Sequence, residues 1–143
     1  MRVLVCGSRT WADRLAVPAV LTGLYVENTV GHLTVEMSEF VVIEGGAAGA
    51  DSEAARWSGT SPMHSHNESP EHPRFEHLWF KADWQMHGKK AGYLRNKQML
   101  EEGKPDVVWA FVDKPLEESK GTFNMVTLAR EASIPEIYVV QKV

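Results

Sequence analysis

The residues best suited to chemistry lie at three small turns. The densest is Glu44-Gly45-Gly46-Ala47-Ala48-Gly49-Ala50-Asp51, which follows a continuous apolar run and opens into an Ala-rich stretch. Glycines in such a turn let backbone N–H groups approach a ligand with no Cβ in the way. The helix that follows offers unpaired donors and a partial positive charge, which suits phosphate. No Gly-Lys-Ser/Thr follows, so this is not a Walker A loop, and the spacing is not the dinucleotide G-x-G-x-x-G. Gly7-Ser8-Arg9 forms a second turn, with a hydroxyl and a guanidinium, and Gly121-Thr122 a third. Packing alone explains one such turn. Three donor-rich turns at strand ends on one rim point to a phosphate-bearing ligand.

Charged and polar side chains extend the candidate set. Arg95 and Asn96 fall about two turns into a helical stretch. An Arg there can clamp phosphate with two parallel hydrogen bonds, and Asn96 can read a base or a ribose. The alternative is a solvated helix face. Glu44 ends a buried strand at the expected ligand rim and could accept a ribose hydroxyl pair or act as a general base. Asp51, like Asp13, could instead be a helix-start residue. Glu44, Asp51 and Arg95 are the catalytic candidates, and His87, beside Gly88, is a further ligand candidate. His64, His66, His72 and His77 cluster in sequence, but a Ser/Pro-rich segment without cysteine holds tetrahedral geometry poorly, so no metal site is expected.

The elements that must position these residues follow from periodicity. Val3–Cys6, Phe40–Ile43, Val107–Phe111 and Ile137–Val140 are short continuous apolar runs typical of buried parallel strands, and Phe75–Phe80 is a weaker fifth. Helices are expected from Asp13 to about Glu27, Ala47 to about Trp57, Gly88 to Glu102, and Thr122 to Ala132. Strands alternating with helices predict an α/β fold: a three-layer, doubly wound, Rossmann-like parallel five-stranded sheet of order 3-2-1-4-5, with its ligand site at the strand carboxyl ends near the switch point. Residues 1–143 read as one domain. Val30–Glu39 reads as a polar connection, and Gly59–Arg74 as a flexible surface loop.

Composition narrows the function class. Fifteen Lys and Arg against 19 Asp and Glu give a net charge of −4, whereas general nucleic-acid binders carry a basic surplus. A local patch around Lys89, Lys90, Arg95 and Lys97 suits one small anion better than a duplex. The single cysteine, Cys6, reads as a buried strand residue in a reducing compartment. No signal peptide or membrane span is expected, so the chain reads as cytoplasmic.

Taken in order, Gly7-Ser8-Arg9, Gly45-Gly46-Ala47-x-Gly49-Ala50-Asp51, Ala82-Asp83-Trp84…His87-Gly88…Ala91-Gly92…Arg95-Asn96…Met99 and Gly121-Thr122…Met125 resemble the SLOG superfamily, and within it the small YspA-type proteins of bacteria and phages. The resemblance implies a Rossmann-like fold that binds nucleotides or nucleotide-derived ligands, with no further cofactor. Among relatives, the Lonely Guy phosphoribohydrolases carry an Arg-Lys-x-x-Met helix and a Pro-Gly-Gly-x-Gly-Thr-x-x-Glu loop. Arg95, Met99, Gly121 and Thr122 match these motifs. Asn96 replaces the Lys, Met125 stands where the Glu would be, and Glu117, Glu118 and Ser119 stand for Pro-Gly-Gly. Met125 cannot assist at an oxocarbenium-like centre.

Two readings follow: a sensor or sequestering protein for a nucleotide-derived phosphate ligand, and a hydrolase of a nucleotide, nucleoside monophosphate or ADP-ribose-like molecule. A third, DNA processing by analogy with the relative DprA, is opposed by the acidic balance. Lonely Guy-type relatives pair through helices, so a homodimer or higher homo-oligomer is a further expectation, with Trp57, Trp79 and Trp84 as contributors.

Overall fold

The computed structural model describes residues 1–30, 39–60 and 74–142. Five strands, β1 (Arg2–Gly7), β2 (Glu39–Glu44), β3 (Arg74–Trp79), β4 (Val107–Val112) and β5 (Glu136–Gln141), form one parallel sheet in the order β3-β2-β1-β4-β5. The expected order is therefore the observed one. β3, the weakest run in sequence, pairs with β2 from Glu39↔Arg74 to Glu44↔Trp79.

Period-two alternation gives each inner strand two apolar faces. Val3 and Val5 of β1, Phe40 and Val42 of β2 and Phe111 of β4 pack with Val17, Leu21 and Tyr25 of α1 (Ala16–Val30) and Ala54 and Trp57 of α2 (Ala50–Thr60). Leu4 and Cys6, Val41 and Ile43, and Val108 and Ala110 pack on the other face with Met99 of α4 (Ala91–Gly103) and Met125, Val126 and Ala129 of α5 (Lys120–Glu131). A one-turn helix, α3 (Trp84–His87), and a 3₁₀ turn (Gly88–Lys90) lead into α4. The result is the three-layer α/β arrangement.

Helix boundaries differ from the sequence expectation for local reasons. α1 begins at Ala16 because the Asp13 carboxylate accepts from Leu15 N at 2.9 Å and Ala16 N at 3.3 Å, capping the turn ahead of it. α2 begins at Ala50 because Gly45 to Gly49 are used up by the turn, where Gly46 and Gly49 have φ of +71° and +79°. α2 runs on through Gly59 and Thr60, and Arg74 opens β3, so only residues 61–73 of the expected loop lie outside the described residues. So do His64, His66 and His72, and residues 31–38 of the polar connection. Among the described residues no helix is long and apolar enough to cross a membrane, and no group of three or more His, Cys, Asp or Glu side chains could hold a metal ion.

Candidate functional site

At the carboxyl ends of β1 and β4, where the strand order reverses, lies a cleft of about 510 Å³. That volume is in the range of small-molecule sites, and the position is where open α/β sheets bind ligands. Its floor is Cys6, Gly7 and Ser8 from the exit of β1. One wall comes from the start of α2, with Ala47 and Asp51, and another from the first half of α4, with Gly92, Tyr93, Arg95, Asn96 and Met99. The segment from Glu118 to Thr122 closes the far side, and Trp84 stands at the α3 side.

The Ser8 and Ser119 hydroxyls meet on the floor. Ser8 Oγ accepts from Asp113 N at 3.2 Å and lies 3.3 Å from Ser119 Oγ. Ser119 stands at the N-cap position of α5, yet its side chain makes no capping hydrogen bond. The N–H groups of an α-helix's first turn have no intrahelical acceptor, and in α5 that turn is Lys120, Gly121 and Thr122, all lining the cleft. Asn96 holds this end in place, its Nδ2 donating to Gly121 O at 3.1 Å and Asn124 Oδ1 at 3.0 Å.

Arg95 and Asp51 converge on the glycine turn. Gly45 N donates to Asp51 Oδ2 at 2.9 Å, and Arg95 Nη1 donates to the Gly45 carbonyl oxygen. Arg95 Nε also donates to Asn96 Oδ1 at 3.2 Å. The guanidinium lies flat enough on the turn that a Cβ at Gly45 would meet its Nη1 at 2.6 Å. Burial raises the Asp51 carboxyl to about 7, against the opposing pull of the Gly45 N–H and of Arg95. Burial likewise lowers Arg95, with the Asp51 charge opposing. Cys6 beneath them has its thiol pushed up by burial and by Asp51, so it offers no thiolate at neutral pH.

The lining is cationic in an acidic chain. Arg9, Lys89, Arg95, Lys114 and Lys120 face two carboxylates, Asp51 and Glu118, while the whole chain carries −4. Of the patch expected from sequence, Lys89 and Arg95 reach the cleft. Lys90 is not among its lining residues, and Lys97 lies 3.8 Å from Glu101 on the solvated side of α4.

Of the candidates read from sequence, Gly7, Ser8, Arg9, Ala47, Asp51, Arg95, Asn96, Gly121 and Thr122 are brought together in the cleft. Gly45, Gly46 and Gly49 build its turn without lining it. A Cβ on Gly46 would meet Trp79 Nε1 at 2.2 Å, and one on Gly49 would meet Ser8 O at 2.1 Å. Glu44 projects from β2 on the face of Phe40 and Val42, where its Oε2 accepts from Gly46 N at 2.5 Å and its Oε1 lies 3.1 Å from His77 Nε2. His87 is exposed and outside the lining. Sequence reasoning did not single out Thr10, Tyr93, Lys114 and Lys120. The signal available for Lys114 and Lys120 was their place in the connection that leaves β4 and enters α5.

Met125, at the position of the Lonely Guy glutamate, is fully buried in the core cluster that includes Met99 and Ala129. That position therefore adds no polar group to the cleft.

The Gene 61 protein of Mycobacterium phage D29 is 40% identical over 136 residues, covering 95% of this chain and 94% of its own length. No solved structure matches the sequence. The model of the YspA, cpYpsA-related SLOG family matches residues 1–87, which span β1 to α3 and include the glycine turn. The chain belongs to the YspA, cpYpsA-related SLOG family.

Proposed function

We propose that the cleft binds a nucleotide or nucleotide-derived phosphate ligand, and that the protein acts as its sensor or sequestering partner. The observation that carries this reading is the concentration of five cationic side chains and the uncapped first turn of α5 in one cleft of an otherwise acidic chain. Charged donors and helix N-termini both favour a phosphate over a neutral ligand. Arg9, Ser8, Lys120 and Thr122 are the groups best placed to contact it, with Arg95 reaching it from the turn.

Asp51 favours a second reading. A buried carboxyl at about 7 is partly protonated at neutral pH and can give or take a proton beside Arg95. A hydrolase would then rest on Asp51 as acid–base and Arg95 as the group neutralising the leaving phosphate. Glu44 is turned toward Gly46 and His77 and lies outside the cleft lining, so this reading does not call on it. For a homodimer, Trp79 is the best of the three tryptophans to contribute, since Trp57 is core and Trp84 lines the cleft.

The test is titration calorimetry with adenosine 5′-monophosphate, ADP-ribose and inorganic phosphate, with chromatography of each mixture after incubation. Saturable binding with the nucleotide recovered intact supports a sensor. Release of base, ribose phosphate or phosphate that disappears in Asp51→Asn makes the protein a hydrolase. Absence of binding by all three rejects both readings.

A further inference from the structure

The cleft has a second chemical character at the α3 side. Trp84 and Tyr93 both line it, and their residues remain 49% and 45% exposed. Burying a large aromatic side chain is favourable by about 1.5–3 kcal/mol, so two of them half in water at the edge of a ligand-sized cleft need a reason. Chance orientation is a poor one for Trp84, because its backbone, its ring edge and one ring face each have a defined neighbour. Asp83 caps α3, its Oδ1 accepting from Met86 N at 3.0 Å, which sets the backbone at Trp84. Gly92 of α4 lies beside the ring's edge, where a Cβ would meet Trp84 Cη2 at 3.4 Å. The Arg9 guanidinium stands 5.6 Å from the ring centre, within cation–π range.

We infer that Trp84, with Tyr93, is the stacking platform for a planar heterocyclic base, so that the cleft selects a nucleoside phosphate over a sugar phosphate or free phosphate. The inference rests on the proposal that the same cleft binds a phosphate ligand. Arg9 joins the halves: it belongs to the cationic lining and also to the face of Trp84. A ligand with its phosphate near the α5 first turn and its base on Trp84 would occupy both. Bases stack on aromatic rings with little regard to identity, so the platform reads flatness and leaves base choice to other groups of the cleft.

The test compares adenosine 5′-monophosphate with ribose 5-phosphate on the full chain by calorimetry, in wild type, Trp84→Ala and Trp84→Phe. The expected result is tighter binding of the nucleotide to wild type. Trp84→Ala should lose roughly tenfold or more of that affinity, with ribose 5-phosphate little changed, and Trp84→Phe should keep most of it. Tryptophan fluorescence should be quenched by the nucleotide in wild type and much less in Trp84→Phe. Equal affinity of wild type for the two ligands, or an equal loss of both in Trp84→Ala, overturns the stacking platform and leaves the phosphate site standing. If neither ligand binds wild type, the phosphate site falls and the platform with it.

Discussion

Asp51 and Arg95 grip the same residue from its two ends: the Gly45 N–H donates to the Asp51 carboxylate at 2.9 Å, and the Arg95 guanidinium donates to the Gly45 carbonyl oxygen. The acid and the base are thus coupled through the backbone of the glycine turn. Anything that changes the charge of one is felt at the loop that shapes the cleft. The guanidinium keeps donors for a ligand, since a planar fork carries five N–H groups.

On the proposed reading Arg95→Ala removes a charged hydrogen bond to a phosphate ligand, and with it the support under Gly45. Affinity for adenosine 5′-monophosphate should fall by about 1.5–3 kcal/mol, which is on the order of 10- to 150-fold. Arg95→Lys keeps the charge and loses the fork, so it should fall between wild type and alanine. Calorimetric titration of the three proteins decides it, and unchanged affinity in the alanine variant would remove Arg95 from the site.

The raised carboxyl of Asp51 predicts a pH dependence of stability. Its folded value, about 7, lies above the ordinary 3.8, so between these limits the folded chain holds more protons at this site than the unfolded chain. The stability it contributes is fully present below about pH 4 and is lost as pH rises through about 7. The span corresponds to on the order of 4 kcal/mol. Asp51→Asn can still accept from Gly45 N but cannot ionise. Relative to wild type it should gain stability as pH rises from 4 to 8. Urea unfolding at several pH values measures the difference, and parallel curves for the two proteins would rule out a raised Asp51.

Gly46→Val should act on the turn and only indirectly on a ligand. Its φ of +71° suits a β-branched residue badly, and the new Cβ would meet Trp79 Nε1 at 2.2 Å. A loss of roughly 2 kcal/mol or more is expected, lowering Tm by about 5 °C or more, together with a change in tryptophan emission as the Trp79 ring is displaced. Thermal melts followed by fluorescence check both, and a wild-type melt would show that the turn absorbs the side chain without cost.

The sheet was legible because its inner strands are buried on both faces, which writes them as unbroken apolar runs such as Val3–Cys6 and Phe40–Ile43. β3 gave a fainter signal because it is an edge strand, with Arg74, Glu76 and Trp79 exposed. The glycine turns and Arg95 could be read from residue type, since few other residues serve those positions. Glu44 falls outside the cleft lining for a reason visible in the strand period: Val41 and Ile43 face α4, so the next residue must face the other way. Tyr93 and Lys114 reach the cleft through the packing of α4 and the return of the chain from β4, which no local spacing encodes.

On the proposed reading, the contrast between a cationic cleft and an acidic chain sorts anions by length. At physiological ionic strength a charge is felt over roughly 8 Å, so a mononucleotide seated in the cleft senses mainly the five cations around it. A polynucleotide cannot confine itself to so small a volume and must lay its remaining phosphates along a surface that carries the chain's negative excess. On the proposed reading, the charge distribution that favours a single nucleotide disfavours the polymer made from it.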